Sequence, residues 1–273
     1  MSGVDTHGHG GLADLPETAG QPDAAGRSDH PGLVDGVGLA AGHGDHRGGD
    51  RPPGPLLATG RDADVYLLDQ RRVLRRYRRA AEVEEEAAVM RYLRGQGYPV
   101  PEVHAAEGTD LVLERLSGPT MRAALLGGEL APRAAGETLA RLHVGLHALP
   151  PRRAAAPDAR VLHLDLHPDN VMLESRGPVV IDWSNATEGP PDLDVAMTAL
   201  ILAEAAVGSH VPAEYRPAAY ELLAAFLAGA GGAPLTQLDA ALARRGGDRN
   251  LTEAERARLA DAAAAVRAAV ARP

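Results

Sequence analysis

Residues 161–183 of the 273-residue chain read Val-Leu-His-Leu-Asp-Leu-His-Pro-Asp-Asn-Val-Met-Leu-Glu-Ser-Arg-Gly-Pro-Val-Val-Ile-Asp-Trp. Three short apolar runs, at 161–162, 171–173 and 179–181, are rich in branched residues and too short for helices, so they predict strands. The last two runs are separated by Ser-Arg-Gly-Pro, a series of turn formers that predicts a hairpin. A polar loop precedes this hairpin, and an aspartate ends it.

The hairpin should bring oxygen-bearing side chains to one end. Asp165 and Asn170 lie in the loop before its first strand, and Asp182 follows its second strand. Carboxylate and amide oxygens are the ligands that Mg²⁺ prefers, usually one or two of them together with substrate phosphates. We therefore predict Asn170 and Asp182 as metal ligands. Asp165, five residues before Asn170, has the spacing of a catalytic-loop aspartate that accepts or orients the proton of an acceptor hydroxyl.

Several motifs occur together and in order. The segment His163-Leu-Asp-Leu-His-Pro-Asp-Asn170 is followed by Ile181-Asp-Trp183 and by Asp194. In this combination the chain resembles the aminoglycoside phosphotransferase and choline kinase-like branch of the protein-kinase-like fold. It departs from the pattern of that family at Leu164, where a small glycine is common, and we expect little consequence from the change.

The resemblance implies an α+β chain with a two-lobed protein-kinase-like fold. A small five-stranded antiparallel N-terminal lobe with one helix should precede a larger, mainly helical C-terminal lobe. We expect a disordered Gly-, His- and Pro-rich tail at 1–55, the nucleotide-binding lobe at 56–116 and the catalytic and substrate-binding lobe at 117–273. Apolar patterns predict helices of the second lobe over 120–126, 132–149, 193–207, 213–228, 235–243 and 253–271.

The resemblance also places a nucleotide in the first lobe. The turn at Gly60 would lie over its phosphates, and backbone groups of Glu114 to Leu116, at the break between the lobes, would bind adenine. A cation on the third strand should reach the phosphates. Arg75 and Arg76 point to opposite faces of that strand because side chains alternate along it, and we favour Arg75.

A helix predicted over residues 80–94 is acidic at its start and basic at its end, which complements the helix dipole. Glu86 shares its apolar face with Val89, Met90 and Leu93, at helical spacing. An acid on a buried face needs a partner. Arg75 would supply it, as in the strand–helix ion pair of kinases.

Four further residues have structural interpretations. His143 lies on an apolar helical stripe and fits a satisfied core histidine, and His163 should brace the catalytic loop. Asp194 should hold that loop by accepting backbone hydrogen bonds. Asp192 is the competing candidate, although its position suits a helix N-cap.

Composition narrows the choice of partners. The net charge of −9 argues against nucleic acid or an anionic membrane as the main partner and favours a cationic or neutral small substrate. No apolar run of about 18 residues and no leader-like N-terminus occur, so we expect a cytoplasmic protein. Cysteine is absent, and all 28 basic side chains are arginines, so any mechanism works without a lysine ammonium group.

Together these features predict an ATP-dependent phosphotransferase, with GTP as an alternative donor, that uses Mg²⁺ and moves the γ-phosphate to a hydroxyl of a small acceptor. We expect a monomer or a homodimer. Two alternatives stay open. The first is a nucleotide-binding module without catalysis, because arginine replaces the usual lysine. The second is a metallohydrolase in which His163, Asp165 and His167 bind zinc or iron.

Overall fold

The computed structural model describes residues 53–79, 82–154, 156–208, 212–249 and 251–271. These residues belong to one compact unit. The tail predicted over residues 1–55 lies outside the described residues, apart from its last three. Among the described residues, no helix is both long and apolar enough to cross a membrane.

The first part of the chain is a five-stranded antiparallel sheet with one helix. Its elements are β1 (Leu56–Thr59), β2 (Ala63–Leu67), β3 (Arg72–Tyr77), α1 (Val83–Gly95), β4 (Val103–Glu107) and β5 (Asp110–Glu114). The spatial order is β1-β2-β3-β5-β4, so β5 lies between β3 and β4. The predicted five-stranded lobe is thereby confirmed. Helix α1 starts at Val83 rather than at residue 80, and it buries the face that carries Glu86, Met90 and Leu93.

The second part is mainly helical. Its elements are α2 (Met121–Leu126), α3 (Pro132–His147), β6 (Arg160–Leu162), β7 (Val171–Glu174), β8 (Gly177–Val180), β9 (Thr187–Gly189), α4 (Pro191–Val207), α5 (Arg216–Ala230), α6 (Leu238–Gly246), α7 (Glu253–Ala257) and α8 (Leu259–Val270). Strands β7 and β8 form the predicted hairpin. Strand β9, which the sequence did not predict, pairs with β6. The single helix predicted over 253–271 is wrong, because Arg258 separates α7 from α8.

One apolar core runs through both parts. It includes Met90 and Leu111 beside the sheet, and Leu139, Leu200 and Phe226 among the helices. Helix α4 is buried along most of its length, since α5, α6 and α8 all pack on it. Such a helix needs apolar residues on every side. It carries Asp194 into this core with no exposed surface.

Polar contacts also join the sheet part to the helical part. Glu85 of α1 forms ion pairs with Arg152 and Arg153, which precede β6. The Tyr92 hydroxyl donates to the Pro150 carbonyl at 2.6 Å. Near the end of β5, Glu114 accepts two hydrogen bonds from Arg176 of the hairpin turn, at 2.5 and 3.0 Å. We call these three contacts the interlobe ties.

Candidate active site

The β7–β8 hairpin sets Asn170 and Asp182 side by side. Val171 pairs with Val180, and the Ile181 amide donates to the Asn170 carbonyl at 3.0 Å, so the ladder reaches its open end at these residues. Asp182 follows directly and has φ +63°. This left-handed conformation is costly for a residue with a Cβ, although Asp tolerates it better than most residues. The bend turns the chain away from the strand at the residue predicted to bind metal.

The loop before the hairpin is folded around Asp165. The Asn170 side-chain amide donates to the Asp165 carbonyl at 2.8 Å and to its carboxylate Oδ2 at 3.2 Å. His163 ties the loop to the second strand, because its Nε2 lies 3.0 Å from the Ile181 carbonyl and its Nδ1 accepts the Asp165 amide at 3.2 Å. The structure therefore places the predicted base, Asp165, against the predicted ligand Asn170, at the hairpin end that Asp182 follows, and His163 braces the loop as expected.

Asp194 holds the same loop from beneath. Its carboxylate accepts the backbone N–H of His163 at 3.1 Å and of Leu164 at 2.6 Å, and His147 Nε2 lies 3.0 Å away. Burial alone would raise the pKa of Asp194, but the hydrogen bond with His147 and the nearby histidines hold it well below the ordinary value. This is the bracing role predicted for Asp194. Asp192 is not an N-cap, because α4 begins before it and its carboxylate accepts the Ala233 amide at 3.0 Å instead.

His143 is a core residue, as predicted. It is fully buried, with Nδ1 2.9 Å from the Leu139 carbonyl and Nε2 3.1 Å from the Thr198 hydroxyl. Burial lowers the pKa of His143 to about 4, although Asp194 opposes this. The ring is therefore neutral at neutral pH; its Nδ1 bonds within α3, and its Nε2 joins α3 to Thr198 of α4.

Leu164 corrects one expectation. It has φ +64°, in the left-handed region that favours glycine, and its side chain is almost fully buried. A residue with a Cβ in this conformation costs about 1–2 kcal/mol. The leucine in place of the family's small residue therefore has an energetic consequence. The strain persists because the Leu164 amide is held by Asp194 and its side chain fills part of the core.

Arg75 links the first part of the chain to the hairpin. Its Nη1 lies 3.1 Å from Glu86 Oε1, and its Nη2 lies 2.6 Å from Asp182 Oδ1. Arg76, the rival candidate, forms a pair with Asp110 at 2.6 Å on the other face of β3. Of the two arginines, Arg75 is thus the one that the fold directs toward Asp182.

The two carboxylates that share Arg75 respond differently to it. Burial raises the pKa of Glu86, and this effect outweighs Arg75 and the hydrogen bond from Tyr77. Burial would also raise the pKa of Asp182, but the charge and hydrogen bond of Arg75, with help from Ser184, bring it below the usual range. Asp182 is thus kept ionised, which is the form that a metal ligand requires.

The model of the phosphotransferase enzyme family matches residues 55–160 and 149–232, which together make up about two-thirds of the chain. The chain belongs to this family. The predicted relationship is thereby confirmed, and membership supports phosphotransferase activity on a small molecule. Comparison with curated protein sequences gives no match.

Three solved structures are similar to this chain at low sequence identity. The aminoglycoside phosphotransferase APH(2'')-Ib with bound ADP is 13% identical, with 79% of this chain and 93% of that chain covered and a TM-score of 0.49. A choline/ethanolamine kinase family protein from Mesorhizobium loti is 17% identical, with coverages of 82% and 90% and a TM-score of 0.48. APH(3'')-Id from Streptomyces rimosus is 18% identical, with coverages of 79% and 93% and a TM-score of 0.49. Identities this low transfer no substrate to this phosphotransferase.

The predicted nucleotide-binding turn of this phosphotransferase lies between β1 and β2. The Gly60 amide donates to the Ala63 carbonyl at 2.8 Å and closes the turn. Arg78, which the sequence did not single out, donates to the carbonyls of Gly60 and Arg61 at 2.9 and 2.8 Å. The turn is therefore held by the side chain of the residue that directly follows β3.

At the junction between the lobes, the predicted adenine contacts need one correction. The Glu114 amide donates to the Glu102 carbonyl at 2.8 Å, and the Arg115 amide donates to the Arg71 carbonyl at 2.7 Å. Two of the three N–H groups predicted to face adenine are thus used by the sheet itself. The role predicted for Leu116 and for the carbonyl groups stays a prediction.

Sequence analysis missed two side chains that contact the site residues. The Tyr77 hydroxyl donates to Glu86 Oε2 at 2.5 Å, and the Ser184 hydroxyl donates to Asp182 Oδ1 at 2.8 Å. The strand pattern could have indicated Tyr77, because it lies two residues after Arg75 and therefore on the same face of β3. Ser184 carried no signal beyond its place two residues after Asp182.

The histidines of the loop do not form a metal centre with Asp165. Both ring nitrogens of His163 are used by backbone groups, and His167 Nδ1 lies 2.8 Å from the Asp165 carbonyl. Within the described parts of the chain, no group of three or more His, Cys, Asp or Glu side chains is arranged to hold a metal ion. The geometry therefore gives no support to the metallohydrolase alternative.

Proposed function

We propose that this protein is an ATP-dependent phosphotransferase that moves the γ-phosphate to a hydroxyl group of a small molecule. The observation that carries the proposal is the convergence of Asp165, Asn170 and Asp182 at the open end of one hairpin, with Arg75 reaching Asp182 at 2.6 Å. A carboxylate base, two oxygen ligands and a cation are the parts that phosphoryl transfer requires.

Asp165 would orient the acceptor hydroxyl and accept its proton at a carboxylate oxygen. Its side chain is half-buried, so an acceptor can reach it, and Asn170 and His163 fix its backbone and carboxylate. A rigid carboxylate that places the attacking oxygen correctly can supply much of the rate acceleration, because the reaction depends mainly on positioning and charge neutralisation.

Asn170 and Asp182 fit a magnesium ion that arrives with the nucleotide. The Asn170 amide nitrogen is committed to Asp165, which leaves its oxygen as the metal-binding atom. Asp182 Oδ1 accepts from Arg75 and Ser184, so Oδ2 is the oxygen that we assign to the metal. Bound Mg²⁺ supplies positive charge that offsets the charge developing on the phosphate oxygens.

Arg75 would bind the phosphates in place of the usual lysine. A guanidinium has five N–H donors, and the pairs with Glu86 and Asp182 engage only two of its nitrogen atoms. Arginine can therefore hold both carboxylates and still donate to an anion, which a lysine ammonium with three donors does less readily. Arginine at the lysine position therefore gives no reason to prefer a nucleotide-binding module without activity.

The test is the loss of phosphate transfer when either Asp165 or Asp182 is replaced by alanine. We expect Asp165→Ala to lower kcat by at least about 100-fold with little change in nucleotide affinity, because general base catalysis contributes about 10²–10⁴. Asp182→Ala should abolish Mg²⁺-dependent transfer and weaken binding of the Mg²⁺–nucleotide complex. Nucleotide consumption and calorimetric binding measure these two effects.

The matched control is Asp169→Ala. Asp169 lies in the same loop, but its half-exposed side chain pairs with Arg122 at 3.6 Å, so its removal should leave kcat within about twofold. Unchanged transfer in Asp182→Ala would contradict the metal assignment, and unchanged transfer in Asp165→Ala would contradict the base.

The acceptor is identified by screening. Consumption of ATP, and of GTP as the alternative donor, is measured with hydroxyl compounds that include aminoglycosides, choline, sugars and amino-acid derivatives. The cytoplasmic location and the monomeric or homodimeric state stay predictions. Absence of donor consumption with every acceptor, together with absence of nucleotide binding, would contradict the proposal.

A further inference from the structure

Tyr77 contacts both Glu86 and Arg75, the ion pair that we assign to nucleotide binding. It is the last residue of β3, two residues after Arg75, and only 7% of its surface is exposed. Its hydroxyl donates to Glu86 Oε2 at 2.5 Å. The centre of its ring lies 4.8 Å from the guanidinium carbon of Arg75, within the range of a cation–π contact.

The two oxygens of Glu86 have separate tasks. Oε1 accepts from Arg75 Nη1 at 3.1 Å and from the Trp183 backbone amide at 3.2 Å, whereas Oε2 accepts from Tyr77. Trp183 directly follows Asp182, so Oε1 contacts both the phosphate-binding cation and the backbone of the metal-binding turn. The tyrosine hydroxyl fixes the rotation of the carboxylate that makes these contacts.

Arg75 is divided between Glu86 and Asp182, and donation from its remaining N–H groups to a bound anion would weaken both contacts. Glu86 is only 5% exposed, and a buried carboxylate that loses a hydrogen-bond donor is destabilised. A second hydrogen-bond donor that stays on Glu86 while Arg75 donates to the anion reduces this destabilisation. Tyr77 is such a donor, because its hydroxyl is fixed by the strand and by burial rather than by the anion.

We infer that Tyr77 is a positioning residue for nucleotide binding, whose hydroxyl holds Glu86 so that Arg75 and the turn at Asp182 meet the phosphates and their metal. The inference rests on the proposed function. Tyr77 contacts Glu86 and Arg75, which we assign to the nucleotide side, so its effect should appear in nucleotide affinity and not in acceptor affinity.

The first test is Tyr77→Phe, which keeps the ring and removes only the hydroxyl. We expect the Kd for Mg²⁺ with a non-hydrolysable ATP analogue, measured by calorimetry, to rise about 10-fold, as for loss of a hydrogen bond to a charged group. The KM for MgATP should rise by a similar factor, and the KM for the acceptor should not change. Circular dichroism verifies that the variant is folded.

Tyr98→Phe is the matched control. Tyr98 is also buried and its ring packs edge-on against Trp183, but its hydroxyl donates to the Leu142 carbonyl at 3.1 Å. Both variants lose a buried hydroxyl and should lose similar thermal stability. A merely structural role for Tyr77 would therefore leave the nucleotide Kd of both variants at the wild-type value, and this result would overturn the inference.

A double variant provides a second, independent measurement. If Tyr77 acts through Glu86, Tyr77→Phe should change the Kd by less than about twofold when Glu86→Gln is already present, because the two effects are then coupled. A full 10-fold effect in that background would overturn the inference. Wild-type protein that binds no nucleotide overturns the proposed function as well, whereas wild-type binding with an unchanged Tyr77→Phe overturns this inference alone.

Discussion

At the scale of single residues, the backbone conformation of Leu164 is unfavourable for a leucine, whereas the burial of its side chain is favourable. Its amide must point at Asp194, which imposes φ +64° on a residue with a Cβ, while its side chain contributes to the core. Glycine would relax the backbone and lose the packing. Burial of a leucine side chain contributes about 1.5–3 kcal/mol, which offsets a strain of about 1–2 kcal/mol.

A pair of substitutions separates these two effects. Leu164→Ala and Leu164→Gly both remove the buried side chain, so both should unfold at lower urea concentration than wild type. Leu164→Gly should nevertheless be more stable than Leu164→Ala by about 1 kcal/mol, because only glycine adopts positive φ without strain. Free energies of unfolding from urea titration measure the difference.

Leu166 gives the control for this pair. It is also fully buried in the loop, and among the described non-glycine residues only Leu164 and Asp182 have positive φ. At position 166 the alanine variant should be the more stable one, by about 0.5–1 kcal/mol. The same order at both positions would contradict the strain at Leu164.

At the scale of elements, the close packing of α3 on α5 depends on glycine. A Cβ on Gly136 would collide with the Leu222 carbonyl and lie 2.8 Å from the Ala225 Cβ, whereas one on Gly229 would lie 2.9 Å from the Ala140 Cβ. The two helices therefore approach through a small residue on each side. This packing supports α3, which carries His143 and His147 toward the Asp194 brace.

Helix α3 contains one glycine with no room for a side chain, Gly136, and one with room for a methyl group, Gly145. Gly136→Ala should destabilise the protein by about 1–3 kcal/mol, because backbone of α5 must move. Gly145→Ala should instead stabilise it by about 0.5–1 kcal/mol, since its nearest neighbour would be an atom of the Tyr98 ring at 3.8 Å and alanine is the better helix former. Urea unfolding measures both, and equal stability of the two variants would contradict the close helix contact.

At the scale of the whole molecule, the sheet part and the helical part share one core and the interlobe ties. Trp183, the only tryptophan of the chain, is 1% exposed and packs against Tyr98 and His163 at their junction. Parts that share a core usually lose it together. Nucleotide bound between them would then stabilise both parts at once.

We therefore expect one unfolding transition. Fluorescence of Trp183, which reports on the junction, and far-ultraviolet circular dichroism, which reports mainly on the helices, should give the same urea midpoint. Saturating Mg²⁺–nucleotide should raise both midpoints equally. A helical signal that survives after the tryptophan signal is lost would show that the two parts unfold independently.

The sequence by itself determined the hairpin and the inward face of α1, and it predicted the candidate residues of the site. Each of these depends on neighbours along the chain: the alternation of a strand, the spacing of a helix face, or the position of Asp165 five residues before Asn170. Local periodicity encodes such features directly. The position of Glu86 among buried apolar residues could be read in the same way.

Only the tertiary structure decided which distant groups meet. Arg75 and Asp182 are 107 residues apart, and their contact at 2.6 Å exists because β3 lies in the sheet opposite the end of the hairpin. The choice between Arg75 and Arg76, the bond from Tyr77 to Glu86, and the positive φ of Leu164 likewise follow from packing. No short-range pattern encodes them, because each depends on where separate elements come to lie.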